Sequence, residues 1–210
     1  MASDKESSVK RIMSVIDKYK EGLATGGREE TIPKALELLL EKHPEGGIIV
    51  ETGSTRLAGD WGGGQFTVVA GDFCKENTQY HLFTVDIDHE VIETCKEVTK
   101  EFATFITYVE NDSLAFLHTF NQKIDLLYLD SMDCPEYDSP ESLNLLKSQV
   151  HQKFEMELAY PLLSDDPIVL LDDNDFKNGG KCLFSKIFLK EHGFKEILSG
   201  KQSLWIKEVL

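Results

Sequence analysis

The chain has 210 residues, 41% of them hydrophobic, which is enough for one sizeable core and too little for two ordinary domains. Its formal net charge is −15, from 37 acidic and 22 basic side chains, and so negative a surface repels the phosphate backbone of nucleic acids. The 4 cysteines show neither a C-x-x-C pair nor a zinc-like spacing, and no apolar run approaches membrane-spanning length. We therefore expect a cytoplasmic protein without nucleic-acid or membrane partners.

Two helices are predicted at the start of the chain. Apolar residues recur at helical spacing over residues 9–23, and a glycine-containing linker follows. Thr31 and Pro33 can begin the second helix, because proline is tolerated in a first helical turn. We expect residues 1–45 to pack on, or cover, a site formed by residues 46–210, within one domain overall.

From Gly46 onward, short apolar runs alternate with amphipathic helical stretches. The runs are rich in β-branched and aromatic residues and largely unbroken by polar ones, which predicts strands buried on both faces of a parallel sheet. The predicted strands are residues 48–50, 81–85, 105–109, 124–129 and 168–171. The predicted helices between and after them are residues 64–75, 90–102, 113–120, 140–160 and 181–192.

The end of the chain follows a different pattern. Residues 194–198 and 203–209 flank the turn Ser199-Gly200-Lys201, and this arrangement predicts a β-hairpin that closes the sheet. The expected fold is therefore a doubly wound α/β domain with a seven-stranded, mostly parallel sheet and an antiparallel C-terminal strand. A plain dinucleotide-binding domain would normally end on a parallel strand.

Acidic residues follow each predicted parallel strand, at the sheet edge where ligands bind in open α/β folds. They are Glu51, Asp86, Asp112, Asp130 and the pair Asp172 and Asp173. Glu51 opens the sequence Glu51-Thr52-Gly53-Ser54, and several glycines follow it without matching the G-x-G-x-x-G fingerprint. Asp86 is placed to accept both hydroxyl hydrogens of an adenosine ribose, whereas Asp88 is expected to cap the next helix.

The order E-T-G-S, V-D-I-D-H-E-V-I, E-N-D-S and D-L-L-Y-L-D resembles the class I S-adenosylmethionine-dependent methyltransferases over residues 46–209. The resemblance implies S-adenosylmethionine as cofactor and a Rossmann-like methyltransferase fold. It implies Glu51 and Gly53 beside the methionine part, Asp86 at the ribose, and Asp112 with Ser113 by the adenine. The full set of cofactor-binding residues that we predict is Glu51, Gly53, Ser54, Asp86, Ile87, Asp112, Ser113 and Asp130.

A narrower resemblance concerns the ends of the fourth and fifth strands. Leu129-Asp130 together with Asp172-Asp173-Asn174 is similar to the metal-binding pattern of catechol O-methyltransferase-like enzymes. It implies that Asp130, Asp173 and Asn174 bind Mg²⁺ or another divalent cation through hard oxygen ligands. Those relatives usually carry a lysine three residues beyond the first metal aspartate, and this chain has Asp133 there. Either the base lies elsewhere, the metal alone acidifies the hydroxyl, or the metal set includes Asp133 or Asp175.

The sequence thus predicts a methyltransferase that O-methylates a small molecule with help from a divalent metal, with Asp130 as its catalytic residue. Trp61 and Tyr137 are candidates for stacking on a planar substrate. A metal-independent enzyme, with Asp130 or a histidine as base, is an alternative. A nicotinamide-dependent oxidoreductase and a cofactor-binding domain without catalysis are the others, and the acceptor and a homodimer stay open.

Overall fold

A computed structural model describes residues 2–133 and 143–208, so Tyr137 and the first residues of the predicted helix 140–160 lie outside the described residues. The strands are β1 Gly47–Thr52, β2 Tyr80–Asp86, β3 Ile106–Glu110, β4 Ile124–Leu129, β5 Leu163–Leu171, β6 Phe194–Ser199 and β7 Ser203–Lys207. The α-helices are α1 Ala2–Thr25, α2 Thr31–Lys42, α3 Phe66–Glu76, α4 His89–Val98, α5 Ser113–Thr119, α6 Leu143–Ala159 and α7 Leu183–Glu191. Shorter 3₁₀ segments cover Lys100–Phe105, Tyr160–Leu162 and Lys177–Cys182.

The seven strands form one sheet in the order β3-β2-β1-β4-β5-β7-β6. Neighbours from β3 to β5 are parallel, whereas β7 runs antiparallel to both β5 and β6. The predicted fold class, including the closing hairpin, is confirmed. Strand order reverses between β1 and β4, and ligands bind beyond the carboxyl ends of the strands at such a switch point.

The sheet is buried on both faces. Along β4, Leu126 and Tyr128 pack in one apolar cluster, while Leu127 and Leu129 pack in the other. Side chains of successive strand residues point to opposite faces, so an unbroken apolar run fills two cores at once. The helices α1 and α2 contribute to the same cluster as Tyr128, for example through Leu36.

Several elements differ from the expected bounds by a few residues, and for three of them the local structure gives the reason. The helix α4 ends at Val98, and the 3₁₀ segment Lys100–Phe105 follows, because Thr99 turns its hydroxyl back onto the Cys95 carbonyl oxygen at 2.6 Å. The strand β5 begins at Leu163, five residues before the expected start. The sequence did not predict this first half as strand because it is polar and contains Pro167. The helix α7 begins at Leu183, after the left-handed residues of the segment Lys177–Cys182.

Within the part of the chain that the structure describes, the helices lack the combination of length and hydrophobicity that crossing a lipid bilayer would require.

Candidate active site

Two cavities lie along the carboxyl edge of the sheet, on either side of the junction between β1 and β4. The first, of about 260 Å³, is lined by residues that include Gly53, Asp86, Ile87, Asp112, Ser113, Met132 and His151. The second, of about 450 Å³, is lined by residues that include Arg28, Arg56, Gly64, Asp130, Asp173 and Lys201. A small third cavity is lined by Glu51, and it shares Gly53 with the first cavity and Gly64 and Asp130 with the second. The three therefore form one cleft.

Gly53 is the point at which the two halves of the cleft meet. Its φ of +88° is a left-handed conformation, and a Cβ atom on it would lie 2.3 Å from the carbonyl oxygen of Asp130. Its backbone N–H donates to the carbonyl oxygen of Val85 at 2.8 Å, so β1 is tied here to β2 as well as packed on β4. Only glycine has both the backbone freedom and the small volume that this contact requires.

Glu51 is buried beside this junction. Its Oε2 atom accepts hydrogen bonds from the hydroxyls of Thr67 at 2.6 Å and Thr84 at 2.7 Å. Its Oε1 atom has no hydrogen-bond partner among the described residues. Burial raises the pKa of Glu51 to about 8, against the two hydroxyl hydrogen bonds that lower it, and Asp130 and Asp86 add to the rise. One polar atom of this buried carboxyl is thus left for a ligand.

Asp86 is held in a fixed orientation at the end of β2. Its Oδ2 atom accepts the backbone N–H of Ser54 at 3.1 Å, and its Oδ1 atom accepts that of Asp88 at 3.0 Å. Asp88 itself caps α4 by accepting the N–H of Glu90 at 2.8 Å, as predicted. The carboxylate of Asp86 lines the first cavity with its remaining lone pairs unoccupied by these two contacts.

The rest of the first cavity is lined by the start of α5, by His151 on α6 and by two apolar side chains. Asp112 caps α5 by accepting the N–H of Ala115 at 3.0 Å, and the hydroxyl of Ser113 lies 3.0 Å from Nε2 of His151. Ile87 is 71% exposed and Met132 is 40% exposed, so two large apolar side chains border the cavity without being buried by the protein. Such a slot suits a planar ring.

His151 was not anticipated from the sequence. It lies on α6, where it pairs with Glu155 at 3.5 Å, and the hydrogen bond to Glu155 raises the pKa of the imidazole. The sequence contains no signal for it, because His151 is 38 positions beyond Ser113 and only the packing of α6 on α5 joins them.

A buried ion pair supports the second cavity. Asp172 is fully buried and accepts hydrogen bonds from Nε of Arg28 at 2.9 Å, from Nε2 of Gln202 at 3.0 Å, and from the hydroxyl of Tyr128. Burial alone would raise the pKa of this carboxyl, but the charges of Arg28 and Lys181 outweigh it and lower the pKa below its usual value. Asp172 is therefore a buried anion with a buried counter-ion.

Asp130 lies next to this pair and behaves differently. Burial and the negative charge of Asp172 raise its pKa above the usual value of an aspartate, although Lys181 opposes the rise. Its Oδ2 atom lies 3.1 Å from the hydroxyl oxygen of Tyr128, which also contacts Asp172. Because a phenol has a single proton, Tyr128 can donate to one of these carboxyls at a time.

The three predicted metal ligands do not form a cation site in this arrangement. The ammonium nitrogen of Lys181 lies between two of them, 2.6 Å from Oδ1 of Asp130 and 3.2 Å from Oδ2 of Asp173. The third, Asn174, turns to the hairpin, where its Nδ2 donates to the carbonyl oxygen of Gly200 at 2.8 Å and its Oδ1 accepts from Lys186 at 2.9 Å. Among residues 2–133 and 143–208, no three His, Cys, Asp or Glu side chains form a metal-ligand group.

Asp133 and Trp61, two further residues considered from the sequence, are held by partners of their own. Asp133 pairs with Arg56 through two hydrogen bonds of 2.8 and 2.7 Å at the exposed rim of the second cavity. Trp61 packs its ring against Tyr19, with centroids 5.8 Å apart, and its carbonyl oxygen accepts from Arg28 at 3.0 Å. Trp61 thus anchors α1 and the arginine instead of facing the cleft as a stacking surface.

The fold and the acidic cleft at its switch point are those of an α/β domain that binds a nucleoside-containing ligand. Residues 60–174, more than half of the chain, match the model of a protein family described as "Methyltransferase domain". The chain belongs to this family, and the resemblance to the class I S-adenosylmethionine-dependent methyltransferases is confirmed.

Solved structures share the fold at low sequence identity. The O-methyltransferase NovP superposes with a TM-score of 0.64 at 13% identity, covering 96% of this chain and 100% of its own. A Staphylococcus aureus protein described as a caffeoyl-CoA O-methyltransferase gives a TM-score of 0.61 at 15% identity, with 92% of both chains covered. A Clostridium thermocellum protein described as an rRNA methylase gives 0.60 at 13% identity, covering 85% of this chain and 97% of its own.

Curated relatives match over a short segment. The release factor glutamine methyltransferase of Bacillus cereus is 36% identical over 63 residues, which is 30% of this chain and 22% of the relative. The same enzyme of Bacillus anthracis is 35% identical over a segment of the same length. The matched part is less than a quarter of either relative, so the acceptor of this protein does not follow from theirs.

Proposed function

We propose that this protein transfers the methyl group of S-adenosylmethionine to a hydroxyl group of a small molecule. The observation that carries the proposal is the pair of cavities that meet at Gly53 and Asp130. One cavity has the acidic and apolar groups that an adenosine requires, and the other provides a separate space for an acceptor. A methyl donor and its acceptor have to meet end to end, because methyl transfer is an in-line displacement.

The first cavity offers a specific group to each part of the cofactor. Asp86 would accept hydrogen bonds from the ribose hydroxyls, and its two backbone N–H contacts fix the carboxylate before a ligand binds. Ile87 and Met132 would cover the faces of the adenine. The remaining oxygen of Glu51 would receive the cationic methionine end, at the side where the small third cavity leads toward the acceptor.

The residues around Asp130 would orient the acceptor and take its proton. When bound, S-adenosylmethionine supplies an electrophilic methyl group on a sulfonium. Asp130 borders both the small third cavity and the second cavity, which would hold the acceptor. Its carboxyl would therefore lie near the point where an acceptor hydroxyl approaches the methyl group. Holding the reacting groups in line is the main contribution, and it lowers the barrier by up to about 7–11 kcal/mol in well-oriented systems.

Size and charge favour a small acceptor. The second cavity of about 450 Å³ falls within the range of about 300–1,000 Å³ typical of small-molecule sites. The net charge of −15 opposes the approach of a nucleic-acid backbone.

Calorimetry with S-adenosylmethionine, its demethylated product and NAD tests the cofactor. We expect the first two to bind and NAD not to bind, and binding of NAD alone would make the proposal wrong. Transfer of labelled methyl groups to a panel of small hydroxylated acceptors, to RNA and to a protein mixture tests the acceptor. Labelling of RNA or protein without labelling of any small molecule would contradict the proposed acceptor class.

The role of Asp130 is tested with a matched pair of variants. Asp130→Asn should abolish turnover and leave cofactor binding nearly intact. Asp133→Asn removes a carboxylate three residues further on, at the exposed rim, and should keep most of the activity. If both variants are equally active, Asp130 does not act on the acceptor.

A further inference from the structure

Lys181 occupies an unusual position for a lysine. Its side chain is 1% exposed, and its ammonium nitrogen contacts Asp130 Oδ1 at 2.6 Å, Asp173 Oδ2 at 3.2 Å and the carbonyl oxygen of Met132 at 3.4 Å. The contacts to Asp130 and to Met132 are hydrogen bonds, and the contact to Asp173 is an ion pair. Buried lysines are rare, and they are found where they are paired, as this one is.

The backbone before Lys181 is shaped to bring the side chain to this place. Asn178, Gly179 and Gly180 are all left-handed, with φ of 57°, 81° and 53°, and a Cβ atom on Gly180 would lie 1.8 Å from the carbonyl oxygen of Asp173. The N–H of Lys181 then donates to that same carbonyl oxygen at 3.1 Å. Glycine adopts positive φ without strain and leaves room for a close approach, so at Gly180 this loop passes directly against the backbone of Asp173.

The charges around this point are balanced without a metal ion. Lys181 joins Asp130 to Asp173, Arg28 pairs with Asp172 at 2.9 Å, and Lys201 lies 3.8 Å from Asp173. Positive and negative groups are therefore equal in number within the cluster. The positive groups are Arg28, Lys181 and Lys201, and the negative groups are Asp130, Asp172 and Asp173.

A divalent cation would have to displace the lysine. Magnesium requires about six oxygen ligands at about 2.1 Å. A cation shared by Asp130 Oδ1 and Asp173 Oδ2 would stand in the space that the lysine nitrogen fills at 2.6 and 3.2 Å from those atoms. The two occupants exclude each other by volume and by charge.

We propose that Lys181 takes the place of the divalent cation between Asp130 and Asp173, so that the protein binds no metal ion there and transfers methyl groups without one. The second half of this statement rests on the proposed function, whereas the first half does not. Lys181 is a positioning residue, because it acts through Asp130. Since its ammonium is buried and already bound by Asp130, Asp173 and the carbonyl oxygen of Met132, it offers nothing for two neighbouring substrate oxygens to chelate. The acceptor therefore needs no adjacent pair of oxygens.

Binding of Mn²⁺ to the metal-stripped, full-length wild-type protein is the first test. Electron paramagnetic resonance follows the loss of the free Mn²⁺ signal on binding, and the melting temperature in Mn²⁺ or Mg²⁺ is a second readout. We expect the wild type to show neither binding at this site nor a rise in melting temperature. Binding that Asp130→Asn removes would overturn the proposal.

Removal of the lysine should open the site. Lys181→Met keeps the side-chain length without the charge, and we expect it to bind Mn²⁺ at least about tenfold more tightly than the wild type. Lys201→Met is the matched control: it removes a lysine near the same Asp173 but leaves Lys181 in place, and it should gain no Mn²⁺ binding. A folded Lys181→Met protein, judged by circular dichroism, that gains no Mn²⁺ binding would also overturn the proposal. If this variant does not fold, the wild-type measurement decides alone.

Turnover in a chelator separates this proposal from the proposed function. The wild type should be equally active in excess chelator and in excess Mg²⁺, and activity that the chelator removes and Mg²⁺ restores would contradict a metal-free site. The absence of S-adenosylmethionine binding would contradict the proposed function, yet the Mn²⁺ measurements would still decide whether Lys181 replaces the cation.

Discussion

The two halves of the cleft use acidic residues in opposite ways. Over β1 to β3, Glu51 and Asp86 are held by hydroxyl and backbone donors, and neither forms a salt bridge among the described residues. Over β4 and β5, Asp130, Asp172 and Asp173 are matched by the cations Arg28 and Lys181. An acidic residue at the end of a strand therefore does not always have the same function. Its role depends on whether a neighbouring element brings a positive charge to it.

The largest effect is expected from breaking the ion pair under the second cavity. Arg28→Met leaves Asp172 buried without its counter-ion, which should lower the free energy of unfolding by about 3–5 kcal/mol. Arg56→Met is the control, since the Arg56–Asp133 pair is 44% and 70% exposed. Exposed pairs contribute about 1 kcal/mol or less, so this variant should be nearly as stable as the wild type. Urea unfolding measures both, and equal losses would show that burial does not distinguish the pairs.

The second largest effect is expected from a substitution at Gly53, where the two halves of the cleft meet. Gly53→Ala adds a Cβ atom at 2.3 Å from the Asp130 carbonyl oxygen and requires a left-handed alanine. We expect a loss of about 3 kcal/mol in the free energy of unfolding, together with weaker cofactor binding. Gly59→Ala is also left-handed but meets nothing within 4 Å. Its loss should be about 1–2 kcal/mol, from backbone strain alone, and a loss as large as that of Gly53→Ala would contradict the close contact.

A smaller effect on binding is expected in the first half of the cleft. Asp86→Ala should weaken binding of S-adenosylmethionine by about 1.5–3 kcal/mol, roughly tenfold to a hundredfold, because hydrogen bonds to a charged group are lost. Asp88→Ala removes a helix cap two residues away and should leave binding within about twofold while lowering stability by about 1 kcal/mol. Isothermal titration calorimetry and urea unfolding separate the two effects. Unchanged binding by Asp86→Ala would rule out its contact with the ribose.

The pH dependence of stability gives the smallest expected change when the change is counted per pH unit. Because the pKa of Glu51 is about 8 in the folded protein, against its usual 4.5, the folded state binds more protons than the unfolded state between these values. Stability contributed by this proton is complete below pH 4.5 and is lost as the pH rises through about 8. The slope is at most about 1.4 kcal/mol per pH unit. Urea unfolding across this range should show a shallower fall for Glu51→Gln, and equal slopes would contradict the shifted pKa.

The same pKa makes a prediction for ligand binding. A cationic ligand beside Glu51 favours the ionised carboxylate, so binding of S-adenosylmethionine should tighten as the pH rises through about 8. Glu51→Gln should bind with little dependence on pH in this range. Calorimetry at several pH values compares the two proteins.

The sequence predicted the local structure of the first half of the cleft, whereas it predicted the acidic residues of the second half without their cation partners. The end of β2 combines an apolar run, Asp86 and the cap Asp88 within a few residues. The strand and the cap took the expected form, whereas ribose binding by Asp86 stays a prediction. Near β5, the aspartates were recognised, but Lys181 and Arg28 were not connected with them. The run Asn178-Gly179-Gly180 was a usable signal, because glycine is the usual residue where the backbone takes a positive φ or approaches another group closely, as Gly180 does at Asp173.

The amino-acid sequence by itself determined the strands, the closing hairpin and the acidic ends of the strands, since periodicity and turn chemistry act between neighbours in the chain. Only the tertiary structure decided the charge partners of those acids. Arg28 is 144 positions from Asp172, and Lys181 is 51 positions from Asp130. Electrostatic energy depends on distance in space and on burial, and neither is written in the order of residues.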